Sequence, residues 1–251
     1  MPNKLRHILL FASALFVPHA ALSDDLKPLN VAVGLSLPPY VIAEERRGME
    51  YDIVREALAD AGYELVPVFM DFGDVPGAMS NQQVDAAMTF PGDLHIASTL
   101  SQVHITYHNQ AMTLAARGLE IDTTSDLAGK SVIAFQNARS YLPDPYRETA
   151  ESSTVYSEVP EQYLQNLGLF TGDFEVAVAD INIFNWFTDD PRVTSASDSD
   201  QVIAYHDIFP PTPYHVAFQD HRIRDAFDVA LTAMKESGRY QEIIASYGGV
   251  Q

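Results

Sequence analysis

Apolar and polar positions along this chain follow two periods. Short apolar runs at 30–35, 64–69, 86–88, 131–135, 155–159, 176–179 and 214–218 read as strands, and helical stripes fill much of the sequence between them. In the first stripe Ile53, Val54, Ala57, Leu58 and Ala61 share one face after Gly48 and Glu50, with Gly62 as the stop. The strongest stripe joins Ile223, Phe227, Ala230, Leu231 and Met234, capped by Asp220 and ended by Gly238. Shorter helices are predicted over 75–81, 161–167, 181–188 and 240–247, and one opening at Ala138 is interrupted by Pro143 and Pro145. Strands alternating with helices predict an α/β fold with mainly parallel pairing. An extended stretch over 105–116, a break at Arg117 and Gly118, and a fresh strand–helix series afterwards predict two lobes. The C-terminal helix is free to return to the first lobe.

Composition narrows the function classes. The chain has 251 residues, 47% hydrophobic and 20% charged, enough for a generous core in one or two units. Its 34 Asp and Glu against 15 Lys and Arg give a net charge of -19. Such a surface repels phosphate backbones and anionic lipid, so no nucleic-acid partner is expected. There is no cysteine, which excludes disulfides, thiolate metal sites and cysteine nucleophiles, and leaves no residue to carry a lipoprotein's lipid. Lys4 and Arg6 precede an unbroken apolar run over 8–17, and Ala21-Leu22-Ser23 follows with small residues where a signal peptidase reads. Residues 1–23 therefore read as a cleaved secretory signal, too short in its apolar part to span a bilayer. The expectation is a free, monomeric protein of the periplasm.

The common catalytic signatures fail: there is no nucleophile elbow, phosphate loop, dinucleotide fingerprint or zinc helix. Asp198 and Asp200 imitate the start of a calcium loop but lack its glycine and closing glutamate. His95, His104 and His108 have no carboxylate at ligand spacing, so they read as surface or partly packed residues, and no metal or cofactor is expected. More suggestive are Tyr40, Phe72, Thr89, Phe90 and Asp180, which all follow predicted strands. Ligands of open α/β sheets sit beyond such strand ends. Two aromatics and an acid there suit a small ligand with a cationic group.

Five stretches carry a resemblance. They are Leu37-Pro38-Pro39-Tyr40; Gly48-Met49-Glu50-Tyr51-Asp52-Ile53; Val84-Asp85-Ala86 after Phe72; Asp126-Leu127-Ala128-Gly129-Lys130; and Gly238-Arg239-Tyr240 with Ile243 and Ile244. In this order they resemble the bacterial extracellular solute-binding proteins of family 3, the polar amino-acid receptors of ABC importers. The resemblance implies a two-lobed periplasmic-binding-protein fold of type II, each lobe a mixed sheet flanked by helices. Lobe 1 would combine 28–114 with 208–251, and lobe 2 would be 115–207, with hinges near 112–117 and 202–207. It also implies that Tyr40 and Phe72 line the cleft, that the backbone at Thr89 and Phe90 holds ligand, and that Asp180 pairs with an ammonium group.

The chain departs from the family pattern where an Arg just after Thr89 would clamp a ligand carboxylate, since residues 90–95 contain none. Arg139, beside a helix start, is the candidate replacement; the alternative is an exposed Arg balancing local acid. Without a replacement the ligand need not be an α-amino acid, and an amine or betaine would still suit Asp180 and the aromatics. The implied partners are a small polar or cationic solute and the membrane permease of an ABC importer. Two other readings stay open. One is a sensory module without transport, facing a membrane sensor. The other is a periplasmic enzyme on the same fold, resembling cyclohexadienyl dehydratases, with Asp180, Asp93 or Glu175 as acid or base.

Overall fold

A computed structural model describes residues 26–35, 37–92 and 99–250. The secretory-signal reading of residues 1–23, and the roles weighed for Asp93 and His95, lie outside the described residues.

Two mixed sheets organise the chain. The first runs in the order Tyr63–Met70, Lys27–Gly34, Ala86–Pro91, Thr212–Phe218, Thr99–Leu100, with Ile105–Tyr107 also paired to Thr212–Phe218. Lys27–Gly34 is parallel to both its neighbours, whereas Thr212–Phe218 returns from the end of the chain antiparallel to Ala86–Pro91. The second sheet runs Ile203–His206, Asn109–Leu114, Val176–Asp180, Ser131–Phe135, Val155–Val159. Its last three strands are parallel, and Asn109–Leu114 is antiparallel to the strands on both sides.

The helices form where the stripes predict them. Met49–Asp60, His221–Ser237 and Arg239–Ser246 bury Ile53, Leu58, Phe227, Leu231 and Ile243 against Val31, Val33 and Met88 of the first sheet. Asp220 caps the long helix by accepting from the Arg222 amide, and Gly238 closes it in the left-handed region at φ 85°. The other face of the sheet is covered by Val75–Ser80, which packs Val75 and Met79 on Ala32, Ala87 and Phe90. The second sheet has its own layers, one around Tyr146 and Phe209 and one around Phe170 and Phe184. Its central strand Val176–Asp180 is buried at every position, as a strand with both faces covered should be. No helix among the described residues is long and apolar enough to cross a membrane.

The crossings differ from expectation. Asn109–Leu114 belongs to the second sheet, where Met112 pairs with Ala177. The first crossing is therefore at His108, between Tyr107 of one sheet and Asn109 of the other, not at 112–117. The return lies between His206 and Thr212, so 207–211 cross rather than 202–207. The run from 105 is extended on both sides of the crossing, and its polar stretch His108-Asn109-Gln110 falls where the hydrogen-bond partner changes.

Candidate functional site

Between the sheets lies a cleft of about 1110 Å³, lined from both sides. The first sheet contributes Leu35, Leu37, Asp71, Phe72, Thr89, Pro91, Tyr107 and Tyr214; the second contributes Asn109, Phe135, Asn137, Ser140, Tyr141, Gln162 and Asp180. These are strand ends and the turns that follow them, where an open α/β sheet exposes polar groups without breaking its ladder.

Asp180 is the last residue of its strand and the N-cap of the helix Ile181–Thr188. Its Oδ1 accepts from the amides of Asn182 at 2.9 Å and Ile183 at 3.1 Å. Its Oδ2 accepts from the Tyr40 hydroxyl at 3.0 Å and the His108 amide at 2.7 Å. The residue is 2% exposed. Burial pushes its carboxyl up to about 6, against the opposing pull of the His108, Ile183, Tyr40 and Asn182 donors.

Tyr40 is wholly buried and stacks on Tyr107, ring centroids 3.7 Å apart. Burial, with the Asp180 charge adding to it, raises the Tyr40 hydroxyl well above its ordinary value, so it is a donor. The same oxygen accepts from Asn182 Nδ2, which also donates to the Val250 carbonyl while Asn182 Oδ1 accepts the Val250 amide. Tyr40, Asp180 and Asn182 thus join the two sheets to each other and to the end of the chain. Ile183 and Phe187 of the same helix complete the joint by packing on the first core.

Behind the first wall lies a buried group that sequence patterning missed. Glu50 Oε1 accepts from the Thr89 hydroxyl at 2.7 Å and lies 2.8 Å from His104 Nε2; Oε2 accepts from the Tyr107 hydroxyl at 2.8 Å. Glu50 and His104 are both fully buried. Thr89 holds φ at 52°, a conformation costly for a β-branched residue, and the bond to Glu50 fixes its side chain there. In the sequence Glu50 reads only as an acid in the first turn of a helix. The one available signal was its place two residues after Gly48, inside a helix whose neighbours Met49 and Tyr51 are apolar.

The sequence candidates therefore separate. Phe72, Thr89 and Asp180 come together at the cleft, although Thr89 and Asp180 spend their side chains on protein partners. Tyr40 does not line it, being wholly buried with its hydroxyl on Asp180 and Asn182. Phe90 does not line the cleft; its ring is buried in the layer under Val75–Ser80. Arg139 does not line it either. Its guanidinium donates to Glu158 Oε1 at 3.2 Å and lies 5.1 Å from the Tyr156 ring centroid. Glu158 also accepts from the backbone amides of Asn137 and Arg139 and from the Tyr156 hydroxyl. Burial alone would raise the Glu158 carboxyl, but these donors outweigh it and hold it below the usual range. Arg139 and the amides at its turn are thus taken up by an anion of the chain itself.

Glu175 lies at the opening end of its strand, bonded to Ser131, and is not a lining residue. His104 is a core residue rather than a surface one, and no group of metal-ligating side chains occurs among the described residues. Two cleft residues absent from the sequence reading are Asp71 and Tyr141, and among the described lining residues there is no Lys or Arg.

A sequence model describing bacterial extracellular solute-binding proteins, family 3, matches residues 29–250. No curated protein matches the chain. Among solved structures it is similar to an ancestral cationic amino acid solute-binding protein, at 13% identity and TM-score 0.69, covering 88% of this chain and 95% of that one. It is also similar to an amino acid ABC transporter substrate-binding protein of Streptococcus pneumoniae bound to L-arginine, at 17% identity and TM-score 0.64, covering 88% and 94%. A third is a histidine kinase sensor domain with similarity to periplasmic binding proteins, at 15% identity and TM-score 0.67, covering 89% and 97%. At these identities the likeness is one of fold.

Proposed function

Because this chain belongs to the bacterial extracellular solute-binding proteins of family 3, we propose that it captures a small polar or cationic solute between its two lobes and hands it to the permease of an ABC importer. We place it in the periplasm, with residues 1–23 as the signal that exports it. The observation that carries the reading is the lining of the cleft. It offers aromatic faces from both sheets and two carboxylates, Asp71 and Asp180, with no Lys or Arg among its described residues. Such a site favours positive charge over negative, and a chain of net charge -19 adds to the preference at long range. Arg139, which would have been needed to clamp a carboxylate, is held by Glu158. The ligand class is therefore an amine or similar cation in preference to an α-amino acid.

Binding without chemistry is the reading favoured for Asp180. A general base needs a lone pair directed at substrate, and the four donors on Asp180 occupy its oxygens. Contacts to both lobes would stabilise only the closed arrangement, so ligand and closure are linked. A thermal-shift screen of amines, betaines and amino acids tests the proposal. Ligand bound at about 100 times its Kd should add about 2.7 kcal/mol of stability. Stabilisation by an amine or betaine supports the reading; silence across all three classes would overturn it.

A further inference from the structure

We propose that Asp71 is the anionic anchor of the cleft, holding the cationic group of the captured solute against the rings of Phe72 and Tyr141. The inference deepens the capture reading above and rests on it. It comes from asking which cleft carboxylate has oxygens to offer. Both candidates stand at the start of a helical turn, where an Asp ordinarily turns its carboxylate onto the first free amides. Asp180 does so, and so do Asp190 and Asp220. Asp71 heads the turn Phe72–Asp74 with no such bond. Its carboxylate is exposed and has no hydrogen-bond or ion-pair partner among the described residues, yet it lines the cleft.

The rings beside it come from both lobes. Phe72 follows Asp71 directly, and its ring lies so close to Gly34 that a Cβ there would sit 3.0 Å from Phe72 Cδ2. Tyr141, from the helix Ala138–Tyr141 of the other lobe, faces it with centroids 6.3 Å apart and planes at 62°. A carboxylate with no partner among the described residues, lining the same cleft as two aromatic rings, is a setting for a primary ammonium, a guanidinium or a quaternary ammonium group. No Lys or Arg of the described lining is present to compete for it. Because the rings belong to different lobes, a cation that touches both adds to a contact that they already make edge to face, just as Asp180 already joins the lobes through Tyr40.

The test is calorimetric titration of the wild type, Asp71→Asn and Asp71→Glu with agmatine and with tyramine. Saturable binding that weakens at least about tenfold in Asp71→Asn and recovers in part in Asp71→Glu, with the melting temperature of the unliganded variants unchanged, is the expected result. Equal affinity in Asp71→Asn, or no binding of either amine to the wild type at tens of millimolar, would overturn the assignment. An uncharged solute panel run in parallel separates the two readings. Capture of a neutral solute without either amine removes the anchor and leaves the capture reading standing, while silence throughout removes both.

Discussion

The Tyr40 hydroxyl donates to Asp180 Oδ2 at 3.0 Å, joining a turn beyond the first sheet to a strand end of the second, 140 residues apart in sequence. Neither group is exposed, so each satisfies a buried polar atom of the other. Tyr40→Phe keeps the stack on Tyr107 and removes only the oxygen. It should cost about 1–3 kcal/mol, because Asp180 and Asn182 both lose a partner they cannot replace with water. Urea unfolding midpoints of wild type and Tyr40→Phe measure this; a cost within error would show that the joint is not held by this bond.

Asp180 also makes a pH prediction with a definite sign. Its folded carboxyl titrates at about 6, above the ordinary 3.8, so the folded state holds the proton more tightly than the unfolded chain does. The stability from that proton is present in full below about 3.8 and is lost as pH rises to about 6, a decline on the order of 3 kcal/mol. Asp180→Asn cannot titrate there. The stability of wild type relative to Asp180→Asn, followed by urea unfolding from pH 4 to 7, should fall across that window and level off above it. A flat or rising difference would contradict the assignment.

Glu50 is predicted to set the shape of the wall rather than to touch solute. Glu50→Gln keeps the volume but points an amide N–H₂ at donors from Thr89, Tyr107 or His104, and should cost about 2–4 kcal/mol. The resonances of Thr89, held in a left-handed conformation, should shift in an NMR spectrum of the variant while those of the second lobe stay in place.

Arg139 gives the opposite expectation. Half-exposed and outside the cleft, it should contribute under about 1 kcal/mol through Glu158 and the Tyr156 ring. Arg139→Ala should leave the affinity for a captured amine within about twofold by calorimetry. A tenfold loss would return Arg139 to the site.

These predictions also mark how far the sequence reaches. The elements were legible because their signals are local: the stripe from Ile223 to Met234, the cap at Asp220, the fully apolar Val176 to Ala179. The cleft residues Phe72, Thr89 and Asp180 were legible because strand ends are where such sheets bind ligands. What escaped depends on partners distant in sequence. Whether an acid is free or spent cannot be read locally: Asp180 stands out in an apolar run yet is saturated, and Asp71 looks ordinary yet has no partner among the described residues. Arg139 was drawn to the cleft by its turn, but Glu158, nineteen residues on and one strand away, decides where its guanidinium lies.

The central claim is that the lobes close on a cation and not on a carboxylate. Small-angle X-ray scattering with agmatine and L-arginine, which differ only by the α-carboxylate, tests it most directly. The account predicts that agmatine lowers the radius of gyration at concentrations where L-arginine leaves it unchanged. Closure by L-arginine at equal or lower concentration would contradict it.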